Sequence, residues 1–177
     1  TDGELSSSKG FLEDSVALIL FQSDNIDIKA GVVNNLSENL EQNISEAIQK
    51  TQAELKDEPK LCIINPVSII ISGAVVLEQF KQCLGNNFPI YGASAADQWQ
   101  FEQTYQFYRT DVLKEAVPFL LFSGELLFGS GVNSGWKPIG KPGRVTKVEN
   151  NVLYTIDDKT AVEFFQHYLG EKITPLG

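Results

Sequence analysis

Hydrophobic and polar positions along the chain change period several times, and each change predicts an element. Ser15 to Phe21 (SVALILF) is a continuous apolar run of the length of a buried strand. IDIKAGVV follows, with Ile26, Ile28, Ala30 and Val32 in alternation, which predicts a half-buried strand. Leu40, Ile44, Ala47, Ile48 and Leu55 then recur at helical spacing. Asn35 and Ser37 are its N-cap candidates, and Pro59 stops it after about four to five turns. KLCIINP predicts a strand ending at Asn65-Pro66. Ser72 can cap a helix carrying Val75, Val76, Gln79, Phe80 and Cys83, closed by Gly85. FPIYGASAAD resumes as a strand and breaks at Gly92. This strand–helix alternation predicts right-handed crossovers and a parallel segment.

The pattern then turns antiparallel. TYQFYR, VPFLLFSG and ELLFGSGV read as strands with connections too short for a helix, and Ser123-Gly124 reads as the turn between the last two. RVTKV and VLYTI flank Glu149-Asn150-Asn151, a good hairpin turn because Asn tolerates positive φ. A last helix is expected to start near Asp157 or Asp158, with Ala161, Val162, Phe165, Tyr168 and Leu169 on its apolar face. The fold class is therefore α/β, a mixed sheet layered with helices.

Charge removes whole function classes. The formal net charge is −9 and the 14 Lys and Arg are scattered, so a nucleic-acid surface is not expected, nor is attraction to an acidic leaflet. No apolar run reaches the length of a membrane span, and no membrane insertion is expected. The two cysteines, Cys62 and Cys83, fall in a strand and a helix without metal-ligand spacing, so no metal is expected and a reducing cytoplasm fits.

Two stretches can carry chemistry. YGASAAD follows a strand, where open α/β sheets bind ligands. Its small residues from Gly92 onward let a ligand approach the backbone, and Ser94 and Asp97 offer hydrogen bonds. A tight turn capped by Asp97 is the alternative. The second stretch, GSGVNSGWKPIGKPG, resembles a phosphate loop in glycine content, but a strand follows it, not a helix. It reads first as a β-connection in which Trp136 packs on the sheet; a ligand lid with Lys137 beside it is the alternative. Ser94 as a nucleophile lacks a base, since His167 is the single histidine and Ser94 lacks a helix after it. His167 projects away from the apolar face of the last helix, which counts against haem ligation. No acid pair is placed for catalysis, so the chain is expected to bind, not to catalyse.

YGASAAD, TDGEL, and above all GWKPIGKPGRVTKVENNVLYTIDDKTAVEFFQHYLG resemble motifs of the FIST domain (F-box and intracellular signal transduction), in its N-terminal half. The resemblance spans most of Thr1 to Gly170. It implies a cytoplasmic sensory domain that binds a small molecule such as an amino acid; the two stretches above supply the expected ligand-binding set, Gly92, Ser94, Asp97, Trp136 and Lys137. A protein-interaction module and a haem-dependent nitric oxide sensor are the alternatives it leaves; no other cofactor is implied. Residues 1–177 would be a single partial domain. The chain has no Met and opens on a turn-rich stretch, so further strands are expected before Thr1 and a C-terminal half after Gly177. That half, or an output signalling protein, is the expected partner.

Overall fold

The computed structural model describes residues 4–6, 10–12, 18–98, 100–131, 137–149 and 152–170. The chain forms two compact units, Thr1–Phe128 and Gly129–Gly177, each taken by itself below.

In the first unit a short antiparallel pair, β1 (Glu4–Ser6) and β2 (Gly10–Leu12), precedes the main sheet. That sheet contains β3 (Ile26–Asn34), β4 (Pro59–Ile64), β5 (Ile90–Gly92) and β8 (Ala116–Gly124), in the order β3-β8-β4-β5. Strands β4 and β5 are parallel, whereas β8 runs antiparallel to both β3 and β4. The crossover through helix α1 (Leu40–Gln52) therefore joins two co-directional strands, but β8 lies between them. Helix α2 (Gly73–Leu84) makes the second crossover. A small hairpin, β6 (Gln106–Tyr108) with β7 (Asp111–Leu113), completes the unit.

Both long helices form because their apolar residues fall on one stripe. Ile44, Ile48 and Thr51 are the buried positions of α1, and Val76 and Phe80 those of α2. They pack on Val33, Cys62, Ile64, Val117, Phe119 and Leu121 of the sheet in one core. Phe80 meets Phe119 edge-on, ring centroids 5.4 Å apart, a geometry that adds about 0.5–1.5 kcal/mol to simple burial.

Several sequence expectations need correction. Residues 18–21 of the SVALILF run are not a strand; Leu18 and Leu20 are 79% and 84% exposed, and Phe21 alone docks, edge-on against Phe122. Among the described residues no strand pairs with this run, and apolar character without a ladder partner does not make a strand. In β3 the alternation is real, but its buried positions are Gly31 and Val33 rather than Ile26, Ile28, Ala30 and Val32. The odd positions face the helices, and the even ones meet the other, less covered face. Gly31 is required there, since a Cβ would overlap the Phe119 ring and Thr51 Oγ1.

Helix α1 is capped at Asn39 (φ 49°) rather than Asn35 or Ser37 and ends at Gln52, and Pro59 opens β4 instead of stopping the helix. The Asn43 amide donates to the carbonyls of Asn34, Asn35 and Glu38, fixing the turn that feeds the helix. Residues 125–131 of the expected strand ELLFGSGV are not in a strand, and Leu127 is fully exposed. The reason is topological: β8 already has β3 on one side and β4 on the other, so no edge is free for a hairpin partner.

In the second unit β9 (Val145–Glu149) and β10 (Val152–Ile156) form the expected antiparallel pair, extended by β11 (Lys159–Thr160). Asn150 and Asn151 of its turn lie outside the described residues. Helix α3 (Ala161–Leu169) starts later than the two aspartates. Thr160 is its N-cap, in a reciprocal capping box with Glu163. Asp157 and Asp158, both at positive φ, instead make the β10–β11 turn, and Asp157 Oδ1 accepts from Arg144 N at 2.9 Å. Phe164 and Tyr168 are the half-buried aromatics of α3, while Phe165 is 45% exposed.

Candidate functional site

Parallel strands β4 and β5 end side by side, with Ile64 opposite Gly92. The chain leaves both at the same end of the sheet, where the loop after β4 runs into the N-terminus of α2. Three hydrogen bonds tie the two loops together. Asn65 Nδ2 donates to Ala93 O at 2.7 Å, Ser68 Oγ to Ala95 O at 2.5 Å, and Ala95 N to Pro66 O at 2.9 Å. Ala95 is buried between them, while Gly92, Ala93 and Ser94 remain exposed.

Gly92 has φ 152°, and a Cβ there would overlap the Ile64 carbonyl oxygen. Only glycine lets β5 approach β4 this closely as the chain turns out of the sheet. Ser94 Oγ lies 3.1 Å from where a Cβ on Gly73 would stand, beside the first turn of α2. Among the described residues this hydroxyl has no hydrogen-bond partner. Ser72 caps the helix, its side chain accepting from Ala74 N at 3.3 Å. The helix start contributes partial positive charge, and the exposed serine sits next to it.

Asp97 has the capping geometry. Its Oδ1 accepts from Phe101 N at 3.1 Å, and its Oδ2 from Glu102 N at 2.8 Å and Gln103 N at 3.2 Å. Desolvation raises its pKa, but these backbone N–H groups outweigh it and hold the carboxyl below its ordinary 3.8. The carboxylate thus fixes the turn after the Ser94 loop. The backbone N–H of Asp97 itself adds a fourth donor, so the turn uses about all the acceptor positions a carboxylate has.

Trp136 lies outside the described residues, so the expected approach of Ser94 and Trp136 lies outside them too. Lys137 is exposed and belongs to the second unit. His167, also in that unit, is exposed and meets the Tyr168 ring edge-on at 4.8 Å. Among the described residues no group of three His, Cys, Asp or Glu side chains is arranged to hold a metal. Burial pushes the Cys62 thiol up to about 12, the state of an inert core cysteine.

Sequence reasoning missed Asn65, Ser68 and the start of α2 as parts of this place. Asn65-Pro66 was legible only as the end of a strand. The signal was available, because two parallel neighbours must end on the same side of a sheet.

A family model described as the FIST N domain matches residues 1–159. Among curated proteins, the chain is 35% identical over 83 residues to "Uncharacterized protein MJ1623" of Methanocaldococcus jannaschii. That stretch is 47% of this chain and 16% of the relative, so the chain spans a small part of that protein's length. No solved structure matches.

Proposed function

Because the chain belongs to the FIST N domain family, a family associated with signal transduction, we propose that it is a sensory domain that binds a small molecule such as an amino acid. It acts in the cytoplasm by binding, not catalysis, and passes the event to a C-terminal FIST half or an output signalling protein. The observation that carries this reading is the convergence of two parallel strand ends, an exposed Ser94 and the α2 N-terminus. The ligand carboxylate meets the helix start and Ser94, and its ammonium is attracted by the negative charge of the Asp97 carboxylate. Charge-assisted hydrogen bonds of this kind contribute roughly 1.5–3 kcal/mol each, enough for micromolar affinity with modest apolar burial.

Calorimetry against a panel of amino acids is the test. At least one should bind with 1:1 stoichiometry, and Ser94→Ala should weaken it about tenfold with the fold intact. If nothing in the panel binds, the amino-acid reading fails. A second reading, a protein-interaction module, then moves first. It is favoured by the exposed Leu18, Ile19 and Leu20, a consecutive apolar run open to a partner.

A further inference from the structure

On the sheet face turned away from α1 and α2, the β6–β7 hairpin stands over strands β3, β4 and β8 and encloses a groove of about 410 Å³. Ala30, Ile63, Pro118 and Leu120 form its floor, and Phe107 and Tyr108 its wall. The wall is pinned to the floor, because the Tyr108 hydroxyl donates to Ala30 O at 3.0 Å. The volume is within the range of small-ligand cavities, and such cavities are mostly apolar with few oriented polar groups.

The charge at this groove sets it apart. Two other depressions of the first unit carry acids: Asp57, Glu58 and Glu125 around Lys60 in one, Glu41 and Glu46 in the other. In the groove under the hairpin the single charged residue is Arg109. Its guanidinium lies over the Tyr108 ring, 5.3 Å from the centroid, so it is held against the wall. Among the described residues no carboxylate lies within ion-pair distance of it. Arg109 also occupies a hairpin position at φ 56°, where Asn or Gly is the usual choice, so turn chemistry does not explain the arginine.

We infer that this groove binds a small apolar monocarboxylate, its chain on the floor of Ala30, Ile63 and Leu120 and its head group on the Arg109 guanidinium. Arginine matches a carboxylate with two parallel N–H donors, which a hydroxyl head group cannot use. The site is separate from the Ser94 loop and does not depend on the amino-acid reading. Asn65 connects the two places, since it lines the groove and holds Ala93 O.

The test is calorimetry of the 177-residue chain with octanoate, and with 1-octanol as the uncharged control. Octanoate should bind saturably with 1:1 stoichiometry and more tightly than octanol. Arg109→Gln should weaken octanoate about tenfold or more and leave octanol unchanged. Ala30→Leu, which fills the floor but keeps the backbone carbonyl that Tyr108 uses, should weaken both. Octanoate and octanol binding alike, an Arg109→Gln variant that binds octanoate as well as the parent, or no saturable binding would overturn the inference. Ser94→Ala should leave octanoate affinity unchanged, which separates a failure here from a failure at the strand-end loop.

Discussion

Replacing Gly92 by alanine tests the strand-end geometry at its tightest point. The residue is exposed, so no buried surface changes. Two other effects act. At φ 152° a non-glycine residue is strained by about 1–3 kcal/mol. The new Cβ also overlaps the Ile64 carbonyl oxygen. Ile64 belongs to β4, held by β8 on its other side, so β5 must give way and the end of its ladder is lost, about 1 kcal/mol more. The sum is about 2–4 kcal/mol, or a fall in Tm on the order of 5–15 °C for a chain of this size. Urea unfolding followed by circular dichroism measures it, with an unchanged m-value showing that stability alone has moved. Gly129→Ala is the control: nothing lies within 4 Å of its Cβ and its φ is ordinary, so the change should stay within about 0.5 kcal/mol. A Gly92→Ala protein as stable as the control would refute the close approach of β5 to β4.

Gly31→Ala should destabilise by about 1–3 kcal/mol through overpacking against Phe119 and Thr51, where an unhindered site would gain slightly from the same change; thermal melting decides the sign. The Asp97 carboxyl is held below 3.8 when folded, so its contribution is fully present above 3.8 and is lost as pH falls through the lower folded value. The stability difference between wild type and Asp97→Asn should therefore be constant from neutral pH to about 5 and shrink below 3.8; a difference independent of pH would contradict the capping role. Cys62, fully buried with its thiol raised to about 12, should resist alkylation until the protein unfolds, while the half-buried Cys83 reacts sooner; mass spectrometry of the labelled peptides distinguishes them.

The helices and the inner strands were legible because their signals are local. Ile44 and Ile48 at helical spacing, Ser72 before α2 and Gly85 after it each specify an element without knowledge of the rest. What was not legible depends on which strand neighbours which. The insertion of β8 between β3 and β4 has no local mark, and it alone explains why residues 125–131 are left without a ladder. The buried phase of β3 followed the same logic: with apolar side chains on both parities, only the helix-facing contact of Gly31 decides which set is covered. At the site, Gly92 and Ser94 stood out by residue type. The loop that Asp97 closes runs through three backbone N–H groups that any sequence would supply, so its capping role was open until the fold was known.

The proposed ligand docks where β4, β5 and the start of α2 meet. Backbone amide chemical-shift mapping tests it most directly, with an isotope-labelled chain titrated with each amino acid of the panel. Saturable shifts should concentrate at Gly92 to Asp97 and at Gly73 to Val75, with little change at α1. Shifts confined to other parts of the chain, or none across the whole panel, would contradict it.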